Sequence, residues 1–343
     1  MRIGIASLAH VHAETYVKLL HGWDGVELVV ADPDESAFEE GHRRTRDRVT
    51  ALGVEILNSF DALFASKLDG VIICTANAHH RRLTERAALA GVNVLCEKPI
   101  ATSREDAAAM VEACERAGVG LMLAYPTRFS PGMVELRRLV NEGTLGRILA
   151  CDGANVARIP TADRSWFGTH ELAGGGALMD HTVHLADVMM LILGAQPAKV
   201  YAQENRITHS EEVDVETGAI VTIEFSNGVV ATIDASWSLP DSNPTWGGLS
   251  LRVIGETGEF SIDVFGEAVR GQTDVDSQPI WRSCGTDINR LMLVEFLASI
   301  REARAPIPDG RDGLRTLEIV LAAYASTVSG QPEAIQRIGI AAP

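Results

Sequence analysis

The first third of the chain alternates short apolar runs with helix-type segments, and this alternation restricts the fold more than any other feature. Arg2–Ala6 reads as a strand, a helix follows from about Val11 to Leu20, and Val26–Ala31 is a second strand. Helical segments continue to Leu52, interrupted near Gly41. Gly70–Cys74, Val92–Cys96 and Val119–Ala124 read as further strands, separated by helices over His79–Ala90 and Ser103–Ala117, the latter opened by a Ser103 cap. Strand and helix in strict turn imply a mostly parallel, doubly wound sheet with right-handed crossovers.

Beyond about Ala124 the pattern changes. Pro131–Asn141 and Ala177–Leu193 read as helices; Val200–Ile207, Val215–Phe225, Val229–Trp237 and Leu249–Ile254 alternate like half-buried strands. Asn227-Gly228 between two of these suggests a type I′ hairpin. Helices at about Ile288–Glu302 and Gly313–Thr327 close the chain, joined by an extended connector around Pro306 and Pro308. The expected fold is α/β: a Rossmann-type domain over 1–123, an α+β domain with a large, mostly antiparallel open sheet over 124–330, and a loosely held tail over 331–343.

Two clusters carry the chemistry. The strand Val92–Cys96 runs into Glu97-Lys98-Pro99, and the carboxyl edge of a parallel sheet is where ligands bind. Pro99 biases Lys98 toward an extended conformation, leaving its ammonium as a candidate donor to a substrate oxygen. Far downstream, Gly174-Gly175-Gly176 leads into a helix bearing Asp180 and His184, four residues apart and so on one face. A carboxylate there can orient the imidazole and raise its pKa toward neutrality, which suits a general base for a hydroxyl proton. Alone, the first cluster reads more readily as a surface lysine at a strand end, and the second at least as readily as an ordinary helix N-terminus.

Taken together, Val71–His80, Glu97-Lys98-Pro99, Arg128-Phe129-Ser130-Pro131, Gly146-Arg147-Ile148, the glycine run through His184 and Val253–Gly258 resemble the Gfo/Idh/MocA family of nicotinamide-dependent oxidoreductases over nearly the whole chain. The resemblance implies hydride transfer between nicotinamide and a secondary alcohol or ketone of a sugar, cyclitol or related polyol. Lys98, Asp180 and His184 then form the catalytic group, and Tyr125, Arg128 and Trp166 join them as substrate contacts. It also implies a homodimer or homotetramer. Two other readings stand beside it: a non-catalytic regulator that binds dinucleotide or sugar, and a net non-redox enzyme, such as a glycosidase, that recycles bound NAD.

The cofactor loop departs from the usual G-x-G-x-x-G. Its positions are Ser7-Leu8-Ala9-His10-Val11-His12, with every glycine replaced. Small Ser7 and Ala9 still permit close approach of a pyrophosphate, Ser7 could donate its hydroxyl, and His12 is expected to crowd helix against sheet. Asp32, ending the second strand, is placed to accept from the adenosine ribose and to repel a 2′-phosphate, with Pro33 offering no compensating cation; NAD is therefore expected over NADP. Family resemblance adds Thr75, Asn77, His80, Glu97 and Lys98 along the cofactor, beside Ser7, Ala9, His10 and His12, while Ala76 replaces the family's usual proline and His79 is expected to be exposed. His10 and His12 with His181 and His184 suggest a metal site only weakly, and no metal is expected.

Composition narrows the partners. A formal net charge of −16 disfavours nucleic acid and anionic membrane surfaces. No apolar run suggests a membrane span or a leader, and the five cysteines, odd in number and without a Cys-x-x-Cys pair, fit reduced thiols in a cytoplasm.

Overall fold

The computed structural model describes residues 1–33, 39–162, 164–273 and 276–335. Six parallel strands build the first sheet: β1 (Arg2–Ala6), β2 (Glu27–Ala31), β3 (Glu55–Leu57), β4 (Gly70–Ile73), β5 (Asn93–Cys96) and β6 (Leu121–Leu123), in the order β3-β2-β1-β4-β5-β6. That is the Rossmann order, with its topological switch between β1 and β4. Helices α1 (Ala13–Leu20), α2 (Glu40–Ala51), α3 (Phe60–Ala65), α4 (His80–Leu89) and α5 (Arg104–Ala117) connect them. The central strands are buried along their length, as a sheet covered on both faces requires. Sequence periodicity does not reveal β3 or α3, which are too short to show one. The helix expected from Val11 starts at Ala13, and part of the helical stretch expected before Leu52 falls at 34–38, outside the described residues.

The second sheet has seven strands in the order β12-β11-β7-β10-β9-β8-β15. They are β7 (Ile148–Ala157), β8 (Pro197–Asn205), β9 (Gly218–Phe225), β10 (Val230–Ser236), β11 (Gly247–Gly255), β12 (Gly258–Asp263) and β15 (Glu333–Ala334). Only β7 and β10 pair in parallel. A separate ribbon, β13 (Ala268–Thr273) with β14 (Asp276–Ser283), stands apart from both sheets. The helices of this half are α6 (Pro131–Asn141), α7 (His170–Ala173), α8 (Ala177–Leu193), α9 (Ile288–Arg301) and α10 (Gly310–Ser329). Helix α8 is buried on nearly all sides between the sheet and α10, which explains why the stretch His170–Leu193 has the length and apolarity of a membrane span yet is mostly interior.

Two local expectations need correction. The turn at Asn227-Gly228 has positive φ only at Gly228 (86°), and Gly228 N donates to Phe225 O at 2.9 Å, so a type I turn with a glycine bulge joins β9 to β10 rather than type I′. Part of the proposed tail is in the sheet: Glu333 and Ala334 pair with Val200 and Lys199. The remainder of the tail, 336–343, lies outside the described residues. Helix α9, late in the chain, returns to cover the first sheet, where Met292, Leu293, Phe296 and Leu297 pack into the core formed by Ile3, Ile5, Leu8 and Ile72. Gly70 permits this contact, since a Cβ there would lie 2.7 Å from Ile300 Cδ1.

Candidate active site

The site forms where loops at the carboxyl edge of the first sheet meet α8. Helix α8 can begin where it does because its glycines tolerate close contacts. A Cβ on Gly175 would fall 1.8 Å from Tyr324 Oη, and one on Gly176 1.9 Å from Glu216 O. The Glu216 carboxylate then accepts from Gly176 N (2.8 Å), Leu178 N (2.9 Å) and Tyr324 Oη (2.9 Å) on one oxygen, capping α8 from a distant segment.

So anchored, α8 brings Asp180 to the end of β5. Lys98 Nζ and Asp180 Oδ1 form a buried ion pair. The second carboxylate oxygen lies 3.2 Å from His181 Nε2 and accepts from Trp237 Nε1 at 3.3 Å. His181 Nδ1 contacts Asn155 O at 2.8 Å, while Asn155 Nδ2 donates to His181 O at 3.2 Å. Burial opposes the Asp180 charge, but Lys98 and His181 outweigh it and hold the carboxyl well below its usual range.

His184 shares the cavity with these groups but departs from the expectation. Asp180 bonds His181 rather than His184, whose Nδ1 is buried without a partner among the described residues. Burial, reinforced by the Lys98 charge, pushes its pKa well below the imidazole norm despite the attraction of Asp180. It is a neutral imidazole at neutral pH, the opposite shift to that expected from an orienting carboxylate. His181, adjacent to Asp180 in sequence, shows no spacing signal and is identified only by the fold.

The loop after β1 performs the turn without glycine. Ser7 adopts φ 78°, the left-handed region a first glycine would occupy, and its Oγ accepts from Ala9 N at 3.1 Å. His12 does not crowd the sheet: its ring turns outward and Nδ1 sits 3.0 Å from Glu97 Oε1. Glu97 is fully buried and also receives Tyr16 Oη (2.6 Å) and Lys98 N (3.2 Å). Burial would raise its pKa, yet the neighbouring histidines and Lys98 keep it ionised. His10 is buried behind this pair, and burial drives its pKa well down. Ligand-type atoms of His10, His12 and Glu97 lie within 4.8 Å of one another, a different grouping from the four histidines considered above.

Asp32 is buried and already engaged by protein groups. Its carboxylate accepts from Leu8 N (3.0 Å) and Arg46 Nη1 (3.2 Å) and lies 3.0 Å from His42 Nε2. A cation is thus beside it, supplied by α2 and not by Pro33. Thr75 and Asn77 are buried beyond β4, with Thr75 Oγ1 and Asn77 Oδ1 unengaged among the described residues. His80 does not reach the cavity; its Nδ1 lies 3.0 Å from Pro99 O and holds the turn after β5. His79 is exposed. Tyr125 is buried with its hydroxyl 2.6 Å from Thr316 Oγ1, its ring edge-on to His184. Arg128 is taken up by Asp187 (Nε to Oδ2, 2.6 Å) and Asp312 (3.2 Å), and does not line the cavity. Trp166 anchors its segment, donating to Ala9 O at 3.0 Å and stacking on Phe167, which does line it.

The cavity enclosed by these groups has a volume of about 480 Å³ and is lined by His10, His12, Lys98, Asp180, His181 and His184 at one end. A dinucleotide fits the chemistry of this edge: Ser7 supplies the turn of the missing glycine, α1 begins at the loop, and Thr75 Oγ1 and Asn77 Oδ1 remain open.

Comparison with known proteins agrees. Residues 3–125 match the family model described as "Oxidoreductase family, NAD-binding Rossmann fold", and 137–335 match "Oxidoreductase family, C-terminal alpha/beta domain". The chain is similar to D-apiose dehydrogenase of Paraburkholderia graminis (27% identity, covering 94% of this chain and 88% of that protein). It is also similar to 1,5-anhydro-D-fructose reductase of Ensifer adhaerens (29%, covering 78% and 80%). Its fold superposes on that of GenD2 from gentamicin A biosynthesis, solved in complex with NAD, with a TM-score of 0.87 at 24% identity over 98% of this chain and 97% of that one. The chain belongs to the Gfo/Idh/MocA family and is an NAD(P)-dependent oxidoreductase with that family's NAD-binding Rossmann domain.

Proposed function

We propose that the protein oxidises a secondary alcohol of a sugar, cyclitol or related polyol, or reduces the corresponding ketone, with the reacting carbon placed between Lys98 and His184. The observation that carries this reading is the convergence of Lys98 with Asp180, His181 and His184 on one cavity that also reaches the loop after β1. The names of the two curated relatives support a sugar substrate.

NAD supplies the hydride acceptor, as a cofactor carries the redox chemistry. Ser7, Ala9, His10, His12, Thr75, Asn77 and Lys98 would hold it. His184, neutral through burial, takes the hydroxyl proton on its imidazole. The Lys98 ammonium, held by Asp180, hydrogen-bonds the reacting oxygen and stabilises negative charge as it develops there. Asp180 is the positioning group, tying Lys98 and His181 together while Trp237 and Asn155 fix the far sides.

The test is reduction of NAD by a panel of aldoses, polyols and cyclitols, followed as NADH absorbance. Lys98→Met should lower kcat about 100- to 1,000-fold, the scale of removing one donor to an oxyanion, with NADH affinity little changed. Near-normal turnover would end the assignment. The buried free thiols of Cys74, Cys96, Cys114 and Cys151 support a cytoplasmic setting. Exposed Tyr201, Ile220 and Val230 on one face of the second sheet support a homodimer or homotetramer built there.

A further inference from the structure

The cavity lining extends beyond the catalytic cluster, and the residues it adds there include a cation and polar groups without a partner among the described residues. Arg158 Nε, Trp281 Nε1 and Asn289 Oδ1 are buried atoms with no partner among the described residues, and all three residues line this cavity. They come from three unrelated places: the residue after β7, the ribbon strand β14, and the start of α9. Leaving a buried donor or acceptor unpaired is costly, so three in the lining of one cavity point to the polar atoms of a ligand.

Arg158 sets the chemistry. Its Nη2 donates to Asn243 O at 2.7 Å and its backbone N donates to Trp246 O at 2.9 Å, which fixes the side chain without neutralising it. Among the described residues no carboxylate pairs with it. The cavity's other permanent cation, Lys98, is balanced by Asp180. The lining therefore holds two permanent cations against one carboxylate, in a chain whose net charge is −16. Trp281 is held by the Arg270 guanidinium, 3.7 Å above its ring, and presents an indole N–H without an acceptor. Trp246 and Phe265, both about half exposed, add apolar surface at the same end.

We infer that this end of the cavity is a carboxylate subsite, and that the substrate is an acidic sugar of the uronic acid class. Arg158 Nε–H and Trp281 Nε1–H donate to the carboxylate, Asn289 Oδ1 accepts from a neighbouring hydroxyl, and Trp246 and Phe265 cover the ring. Along the extended backbone from Asn155, which touches His181, to Arg158 is about 10 Å, so the carboxylate lies several bonds from the reacting hydroxyl at Lys98. The inference rests on the sugar oxidoreductase reading above and narrows its substrate.

The experiment uses matched pairs, glucose with glucuronate and galactose with galacturonate, in two assays. One is NAD reduction; the other is calorimetric binding of each uronate to the protein saturated with NADH. The expected result is that the wild type favours a uronate over its neutral partner in kcat/KM. Arg158→Met should collapse that ratio by about 10- to 100-fold, the worth of a charge-assisted hydrogen bond, chiefly through KM. Arg158→Lys, which keeps the charge, should recover part of it, and unchanged NADH affinity would show that both variants are folded. A wild-type preference for neutral sugars, or equal losses for both members of a pair in Arg158→Met, would overturn the inference and leave the broader function standing. If no sugar reduces NAD, the broader reading fails, and calorimetry still decides the subsite: uronate binding abolished in Arg158→Met supports it, and no uronate binding by the wild type refutes it.

Discussion

At the residue scale, this site depends on ionised and neutral groups being kept apart by burial and pairing. Lys98 and Asp180 carry charge as a pair, Glu97 carries charge behind them, and His10 and His184 are held neutral. This has a pH consequence that a single variant isolates. In the unfolded chain His184 titrates near 6.5; in the fold its pKa is well below that, mainly through burial and then through Lys98. Below about pH 6.5 the unfolded state binds a proton that the native state refuses, so this residue's contribution is fully present above that pH and is lost as pH falls toward the folded pKa. Denaturant unfolding of the wild type and of His184→Gln, compared from about pH 8 to about pH 5, should show the wild type losing ground to the variant on the acid side. Parallel curves would mean that His184 is not held neutral. The activity of the same site should survive below the ordinary imidazole range in the oxidative direction, because the base remains unprotonated there.

The same scale shows why some candidate residues changed role. Asp32, Arg128 and His80 have residue types and positions that suit ligand binding, but each is satisfied by protein: Asp32 by Leu8 N, His42 and Arg46, Arg128 by Asp187 and Asp312, His80 by Pro99 O. None of those partners lies at a spacing that local sequence periodicity reports. By contrast, Lys98 was legible because Pro99 and the strand before it define its place, and Asp180 because a glycine run defines the start of its helix.

At the element scale, α8 is the component that assembles the site. Its N-terminus is threaded between Tyr324 and Glu216, at contacts that only glycine permits. Gly176→Ala should cost about 1–3 kcal/mol through overpacking, read as a lowered denaturation midpoint, and should weaken activity beyond the stability loss because Asp180 moves with the helix. Glu216→Ala removes the acceptor of two α8 N–H groups and should cost about 1 kcal/mol, the typical worth of a helix cap. Should Glu216→Ala match the wild type in stability, another group must serve as the cap. Short elements were the hardest to anticipate. A three-residue strand such as β3 and a six-residue helix such as α3 hold too few residues for a period to emerge, and the exact turn at Asn227-Gly228 depends on backbone angles that the dipeptide alone leaves open.

At the scale of the whole molecule, the two sheets are joined by chain that crosses between them. Helix α9 follows the second sheet in sequence yet seals the first, burying Phe296 and Leu297 against β1 and β4. A fragment ending at residue 125 would expose that apolar face, so it should bind a hydrophobic dye and unfold without a sharp transition. Restoring the face requires the segment around 288–301. Phe296→Ala in the full chain should cost about 3–5 kcal/mol, as for other buried phenylalanines. A cooperative, well-folded fragment would show that the first sheet is self-sufficient.

What the amino-acid sequence determined by itself is everything carried by local order: the parallel sheet from strand–helix alternation, the change to a second sheet after about Ala124, and the two clusters, Glu97-Lys98-Pro99 and Gly174–His184. These are short-range properties, set by hydrophobic period, by proline and glycine backbone preferences and by i to i+4 geometry. Only the tertiary structure decided that Asp180 engages Lys98, His181 and Trp237 rather than His184, that His12 pairs with Glu97 in place of packing as a glycine would, and that Arg158, Trp281 and Asn289 line one cavity. Those partners are brought together by packing of elements distant in sequence. Burial also sets which groups hold charge, and burial belongs to the folded chain as a whole, so no local pattern of residues encodes it.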